Sequence, residues 1–151
     1  MAHVLVVDDT EAALDLLGYL LRARGHVALL ARNGEEAVAA ALGSPPDLIL
    51  MDLHMPVMSG YEALAAIRES DEAGKCPILA LTAFGEVGER EKAIAAGFDG
   101  FFSTPITPET FMDQLEAFLE GDNRRRRLSQ GVLGPLRRPL NPSARPDRIA
   151  T

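Results

Sequence analysis

Residues 4–9, Val4-Leu5-Val6-Val7-Asp8-Asp9, set four consecutive apolar side chains directly before two carboxylates. A short, uninterrupted apolar run of this kind reads as a strand buried on both faces, and the polar break marks its end. The design recurs downstream: residues 48–51 end at Asp52, and residues 78–81 end at Thr82. If the three runs are neighbouring parallel strands, three carboxylates and a hydroxyl meet at one edge of a sheet. Like charges that close repel, so the cluster is costly unless a cation sits in it. The pattern points to a divalent metal and to chemistry on an anionic ligand such as a phosphoryl group.

Between the runs the apolar period becomes helical. Ala13, Leu14, Leu17, Leu20 and Leu21 follow a cap at Asp9 or Thr10 and stop at Gly25. Residues 26–31 read as a second strand and residues 34–42 as an alanine-rich helix. Pro45-Pro46 breaks the chain before a third strand at 47–51. Ser59-Gly60 opens a helix carrying Tyr61, Leu64, Ile67 and Arg68, and Pro77 precedes the strand at 78–81. A helix at 86–96 stops at Gly97, and residues 99–103 form a fifth strand. Thr107-Pro108-Glu109 starts the last helix, whose apolar face is Phe111, Leu115, Phe118 and Leu119. Five β-α units in a row predict an α/β fold: a doubly wound, five-stranded parallel sheet, flavodoxin-like (βα)5, in strand order 2-1-3-4-5. Ligands of such sheets bind outside the carboxyl ends of the strands, at the switch point between strands 1 and 3. Asp8, Asp9 and Asp52 fall at that point.

The 151 residues favour one domain with a substantial core. No apolar run approaches the roughly 20 residues that span a bilayer. Met1-Ala2-His3-Val4 runs straight into a strand with no basic start or cleavage site, and the one cysteine, Cys76, permits no internal disulfide. Both predict a cytoplasmic setting. The net charge of −7 is unevenly spread: from residue 121 on, eight arginines face Asp122 and Asp147, a net of +6 that leaves −13 on residues 1–120. So acidic a body argues against nucleic acid as its main partner. Residues 1–120 are expected to be the folded domain. Residues 121–151, rich in Arg and Pro, are expected to be a solvated disordered tail, with a dimer arm or a basic strip as rival readings.

Four separated motifs in order, Val4-Leu5-Val6-Val7-Asp8-Asp9, Pro46-Asp47-Leu48-Ile49-Leu50-Met51-Asp52 with Met55-Pro56 and Ser59-Gly60, Leu81-Thr82-Ala83, and Ser103-Thr104-Pro105, resemble the receiver domain of two-component response regulators over roughly residues 3–120. The resemblance implies that Asp52 is the phosphoryl acceptor, loaded from a phosphohistidine on a sensor histidine kinase or a histidine phosphotransfer protein. It implies that Asp8, Asp9, Asp52 and the backbone carbonyl of His54 hold Mg²⁺, that Thr82 donates a hydrogen bond to the phosphoryl group, and that Phe101 is the aromatic switch on the last strand. It implies output through the surface of helix 4, strand 5 and helix 5, with a homodimer through that face. The chain departs from the pattern at Thr104, where the family carries a lysine. Three carboxylates and Mg²⁺ then keep one uncompensated negative charge, and Lys75 and Lys92, the only lysines, lie elsewhere in the assigned elements. A Thr104→Lys exchange is expected to raise phosphorylation or sharpen the response.

Several readings compete. Asp8 and Asp9 could be plain helix caps. The leading function is a single-domain response regulator, not an enzyme beyond self-catalysed phosphoryl transfer and autodephosphorylation. The alternative is a pseudo-receiver that binds partners without phosphorylation. An aspartate-nucleophile phosphohydrolase also uses a carboxylate and Mg²⁺ at a sheet edge, but usually carries a second aspartate two positions on, where this chain has His54. Nucleic-acid binding through the arginine tail ranks last against the acidic body. His3 and His26 read as surface or strand-edge residues, Cys76 as a bystander, and Met51, Met55 and Met58 as packing residues.

Overall fold

β-branched and leucine-rich runs pair into a parallel sheet whose five strands lie in the order β2-β1-β3-β4-β5. The structure is a computed structural model that describes residues 1–83 and 87–129, the side chains of 122–129 excepted. Along the chain come β1 (His3–Val7), α1 (Glu11–Ala23), β2 (Val27–Ala31), α2 (Gly34–Gly43), β3 (Leu48–Asp52), α3 (Gly60–Arg68), a short 3-10 turn (Ala73–Lys75), β4 (Ile78–Thr82), α4 (Glu89–Ala96), β5 (Gly100–Ser103) and α5 (Pro108–Ser129). The expected fold class and strand order hold. β1 pairs with β2 from His3↔Val27 to Val7↔Ala31 and with β3 from Val4↔Leu48 to Val7↔Met51.

Alternate side chains of the central strands point to opposite faces, and both faces are buried. Val4, Val6, Leu48, Leu50, Leu79 and Leu81 pack under α1 and α5 with Leu14, Leu17, Leu21, Phe111 and Leu115. Leu5, Val7, Ile49, Met51, Ile78 and Ala80 pack under α2 and α3 with Ala37, Ala41, Leu64 and Ile67. Met51 and Met55 are buried in this second layer and Met58 packs on it, as packing residues should.

Local signals set the helix ends. The Asn33 side chain accepts from the Glu36 N–H at 2.8 Å, and Ser59 and Glu62 form a reciprocal capping box. Gly25 ends α1 at φ 85° and Gly97 ends α4 at φ 122°, conformations that a Cβ disfavours.

Three expectations shift. Strand ends move by a residue, so that Asp52 and Thr82 close their strands while Asp47 and Asp99 lie outside. α4 begins at Glu89, and the expected helix start at Glu86 lies outside the described residues. α5 continues to Ser129, nine residues past the boundary expected at residue 120. Arginine is a good helix former, and a run of cations suits the negative end of the helix dipole, so the block Arg124–Arg127 continues the helix. The remainder of the basic segment, 130–151, lies outside the described residues.

Two polar clusters not expected from sequence tie the periphery down. The Arg68 guanidinium donates to the carbonyls of Gly74, Cys76 and Gly97 and to the Asp99 carboxylate, all at 2.8–2.9 Å. It thereby locks the chain on either side of β4. His26, expected near the surface, has a side chain only 11% exposed, 2.8 Å from Glu116 on α5.

Candidate functional site

Because Val7 pairs with Met51, the residues that follow them, Asp8 just past β1 and Asp52 at the end of β3, lie side by side at the edge of the sheet. One oxygen from each of Asp8, Asp9 and Asp52 lies within 4.8 Å of the others. Asp8 is buried, Asp52 half-buried and Asp9 exposed. Asp8 Oδ1 accepts from both the N–H and the hydroxyl of Thr10 at 2.9 Å. Thr10 stands at the N-cap of α1, but its hydroxyl serves Asp8 and not the helix. The Asp pair is thus held by its own turn, and only one of its oxygens is committed to that turn.

Burial pushes the Asp52 carboxyl up to about 7. The His54 N–H opposes the shift by donating to Asp52 Oδ1 at 3.2 Å, and the neighbouring Asp8 and Asp9 charges add to it. An all-carboxylate donor set fits a hard, oxygen-seeking divalent cation, which would relieve this repulsion. The three residues open into a cleft of about 530 Å³ walled by Ala13, Leu16 and Leu17 of α1 on one side and by Thr104, Pro105, Ile106 and Pro108 on the other. Among the described residues that line it there is no lysine and no arginine.

Thr82 ends β4, is buried, and lines the same cleft. Thr104 sits beside it, its N–H donating to the Thr82 carbonyl at 3.0 Å. Lys75 belongs to the 3-10 turn and Lys92 lies over the Tyr61 ring at 4.9 Å, so neither lysine reaches the cleft. Phe101 is half-buried against the α2–α3 layer, and Phe102 packs on the opposite layer, edge-on to Phe111 at 5.0 Å. Each of the two covers its own face of the sheet.

The loop between β3 and α3 shapes the floor of the site. A Cβ on Gly60 would lie 2.3 Å from the Asp52 carbonyl oxygen, so only glycine lets α3 start this close to the strand end. Val57 has φ 73°, and the Met58 N–H donates to the Pro56 carbonyl at 2.8 Å across it. That is a three-residue turn in its strained form, on a β-branched residue that is 82% exposed. Val57→Gly should relieve about 1–3 kcal/mol of strain against about 0.5–1 kcal/mol of added unfolded-state freedom. The expected result is a gain of about 1 kcal/mol in denaturant melts, and no gain would show that the turn is unstrained.

One group near the site carried no linear signal. Glu89, the first residue of α4, is only 4% exposed. It accepts from the Tyr61 hydroxyl at 2.5 Å and lies 3.0 Å from His54 Nε2. The Tyr61 bond chiefly holds its carboxyl below the usual range, with His54 contributing.

Comparison with known proteins follows the same outline. Residues 4–116 match the response regulator receiver domain model. The chain is 34% identical over 116 residues to the polar-differentiation response regulator DivK of Brucella anthropi, covering 77% of this chain and 94% of that one. Among solved structures, the chemotaxis response regulator CheY4 of Vibrio cholerae superposes with a TM-score of 0.73 at 33% identity, over 78% of this chain and 98% of its own. The receiver domain of a sensor histidine kinase from Pseudomonas aeruginosa PAO1, which has a magnesium ion coordinated in its active site cleft, gives a TM-score of 0.73 at 30% identity, over 79% and 98%.

Proposed function

Since this chain belongs to the response regulator receiver domain family, we propose that Asp52 is its phosphoryl acceptor and that Asp8, Asp9, Asp52 and the backbone carbonyl of His54 hold Mg²⁺. The observation that carries the reading is the convergence of three carboxylates within 4.8 Å at the mouth of an open cleft. The donor is the phosphohistidine of a sensor histidine kinase or a histidine phosphotransfer protein. An Asp52 oxygen forms the new O–P bond as the N–P bond of the donor breaks, and the imidazole leaves with the electron pair and takes up a proton. Bound Mg²⁺ offsets negative charge on the transferring group. The Thr82 hydroxyl donates to a phosphoryl oxygen, and Thr104 offers a second hydroxyl where the family has an ammonium. Self-catalysed transfer and autodephosphorylation are the only chemistry assigned.

Phe101 is the switch residue: a change in its packing passes the occupied state to the surface of α4, β5 and α5, where a partner protein or a second copy of the chain reads it. Among the described residues no helix is long and apolar enough to cross a membrane, and a cytoplasmic location fits a chain with one cysteine.

Incubation with acetyl phosphate should give one stoichiometric adduct by intact mass, dependent on Mg²⁺, lost in excess chelator, and mapped to Asp52 by peptide fragmentation. Continuous turnover of a phosphate monoester in large excess over protein would instead favour a phosphohydrolase. A chain that stays unmodified at saturating Mg²⁺ and donor would return the reading to a pseudo-receiver.

A further inference from the structure

The Asp52 carboxylate and the start of α4 are joined by an unbroken run of hydrogen bonds. The His54 N–H donates to Asp52 Oδ1 at 3.2 Å, and the ring Nε2 of the same residue lies 3.0 Å from Glu89 Oε1. The other Glu89 oxygen accepts from Tyr61, whose ring sits edge-on to Phe98 at 5.8 Å, just past the far end of α4. Burying a carboxylate is costly unless it is well bonded, so Glu89 stays in place only while these partners hold it. Its charge also suits the positive end of the helix dipole at the first turn of α4. None of these bonds passes through Thr82 or Phe101.

We propose that Glu89 is a positioning residue that ties the N-terminus of α4 to the acceptor loop through His54 and to α3 through Tyr61, so that cation binding at the carboxylates is felt directly at α4. The inference rests on the reading of Asp8, Asp9 and Asp52 as a cation site and adds a second route to the output surface. Any shift of the Asp52 carboxylate toward a cation pulls on the His54 N–H, turns the imidazole, and moves the Glu89 end of the helix. A bond network with two arrangements is a physical basis for such coupling.

The test is a Mg²⁺ titration of the full chain followed by amide NMR. In the wild type, saturating Mg²⁺ should shift the amides of Asp8, Asp9 and residues 90–96 together. In Glu89→Ala the shifts at 90–96, taken relative to those at Asp8 and Asp9, should shrink by about threefold or more. Glu89→Gln should recover most of that ratio, since its amide can accept from Tyr61 and donate to the His54 ring. Recovery by the isosteric amide separates positioning from mere loss of packing. Tyr61→Phe, which removes one hydroxyl, gives a smaller loss of the same sign and serves if Glu89→Ala does not fold. Shifts at Asp8 and Asp9 with an unchanged ratio in these variants overturn this inference alone. Absence of any shift at Asp8, Asp9 and Asp52 in the wild type overturns the cation-site reading and the coupling with it.

Discussion

Asp52→Asn should leave the chain without a phosphoryl adduct and, in the absence of Mg²⁺, more stable than the wild type. Asparagine keeps the shape of the carboxyl but offers no nucleophilic oxygen for an acyl phosphate, so the first outcome is all or none. The second follows from the raised carboxyl. The Asp52 carboxyl has the ordinary carboxylate value of 3.8 when unfolded and is pushed up to about 7 when folded. At about pH 3 and lower both states are protonated and the residue is neutral to stability. As pH rises the unfolded state releases its proton first, so the folded state is progressively disfavoured until its own carboxyl ionises. Solvent screens a half-buried carboxyl, which discounts the full shift, so the accumulated penalty above neutrality is on the order of 2–3 kcal/mol. Denaturant melts at a series of pH values should therefore find wild type and Asp52→Asn nearly equal at about pH 3 and separated by that amount at about pH 8. Mg²⁺ reverses the trend: at about a hundred times its dissociation constant it returns roughly 2.7 kcal/mol to whichever chain binds it, and the wild type, with all three carboxylates, gains more. A separation that does not grow with pH would mean that burial, helped by the Asp8 and Asp9 charges, does not raise the Asp52 carboxyl in solution.

The sheet was legible because its signals are local. A parallel strand buried on both faces is one unbroken apolar run, and this chain writes each central strand as such a run stopped by Asp8, Asp52 or Thr82. The carboxylates were legible for the same reason: once strands 1 and 3 are neighbours, the residues just past their ends have nowhere else to go. What stayed hidden depends on contacts between distant residues. Glu89 lies 35 positions from His54 and 28 from Tyr61, and in sequence it is one acidic residue among several at a helix start. Arg68 reads as the polar end of a helix, yet its guanidinium reaches 31 positions on to Asp99. His26 reads as a strand-edge residue until α5 brings Glu116 over it. The extent of α5 is hidden for another reason: a run of four arginines is solvated whether coiled or helical, so charge alone does not mark where a helix stops.

Thr104→Lys should move Asp52 in the direction opposite to its present shift. Thr104 lines the same cleft as the three carboxylates, and among its described lining residues that cleft holds no other lysine or arginine. An ammonium within about 4–6 Å of a carboxylate lowers its pKa by about 1–3 units, so the acceptor would be fully ionised at neutral pH. The pH-dependent separation between this variant and its Asp52→Asn counterpart should contract by about 1.4 kcal/mol for each unit. Ionisation alone raises the reactive fraction at pH 7 only about twofold, from the half expected of a group titrating at about 7. A cation facing the equatorial oxygens of the transferring group adds to this, and roughly tenfold faster adduct formation at saturating Mg²⁺ corresponds to about 1.4 kcal/mol of such stabilisation. The same charge competes with the metal, so Mg²⁺ affinity should fall while the rate at saturation rises. Thr104→Met, of similar reach and no charge, separates electrostatics from simple filling of the cleft: it should leave the Asp52 titration near about 7 and give no rate gain. If the lysine variant behaves like the methionine variant, the negative charge left at this site is not what limits phosphoryl transfer.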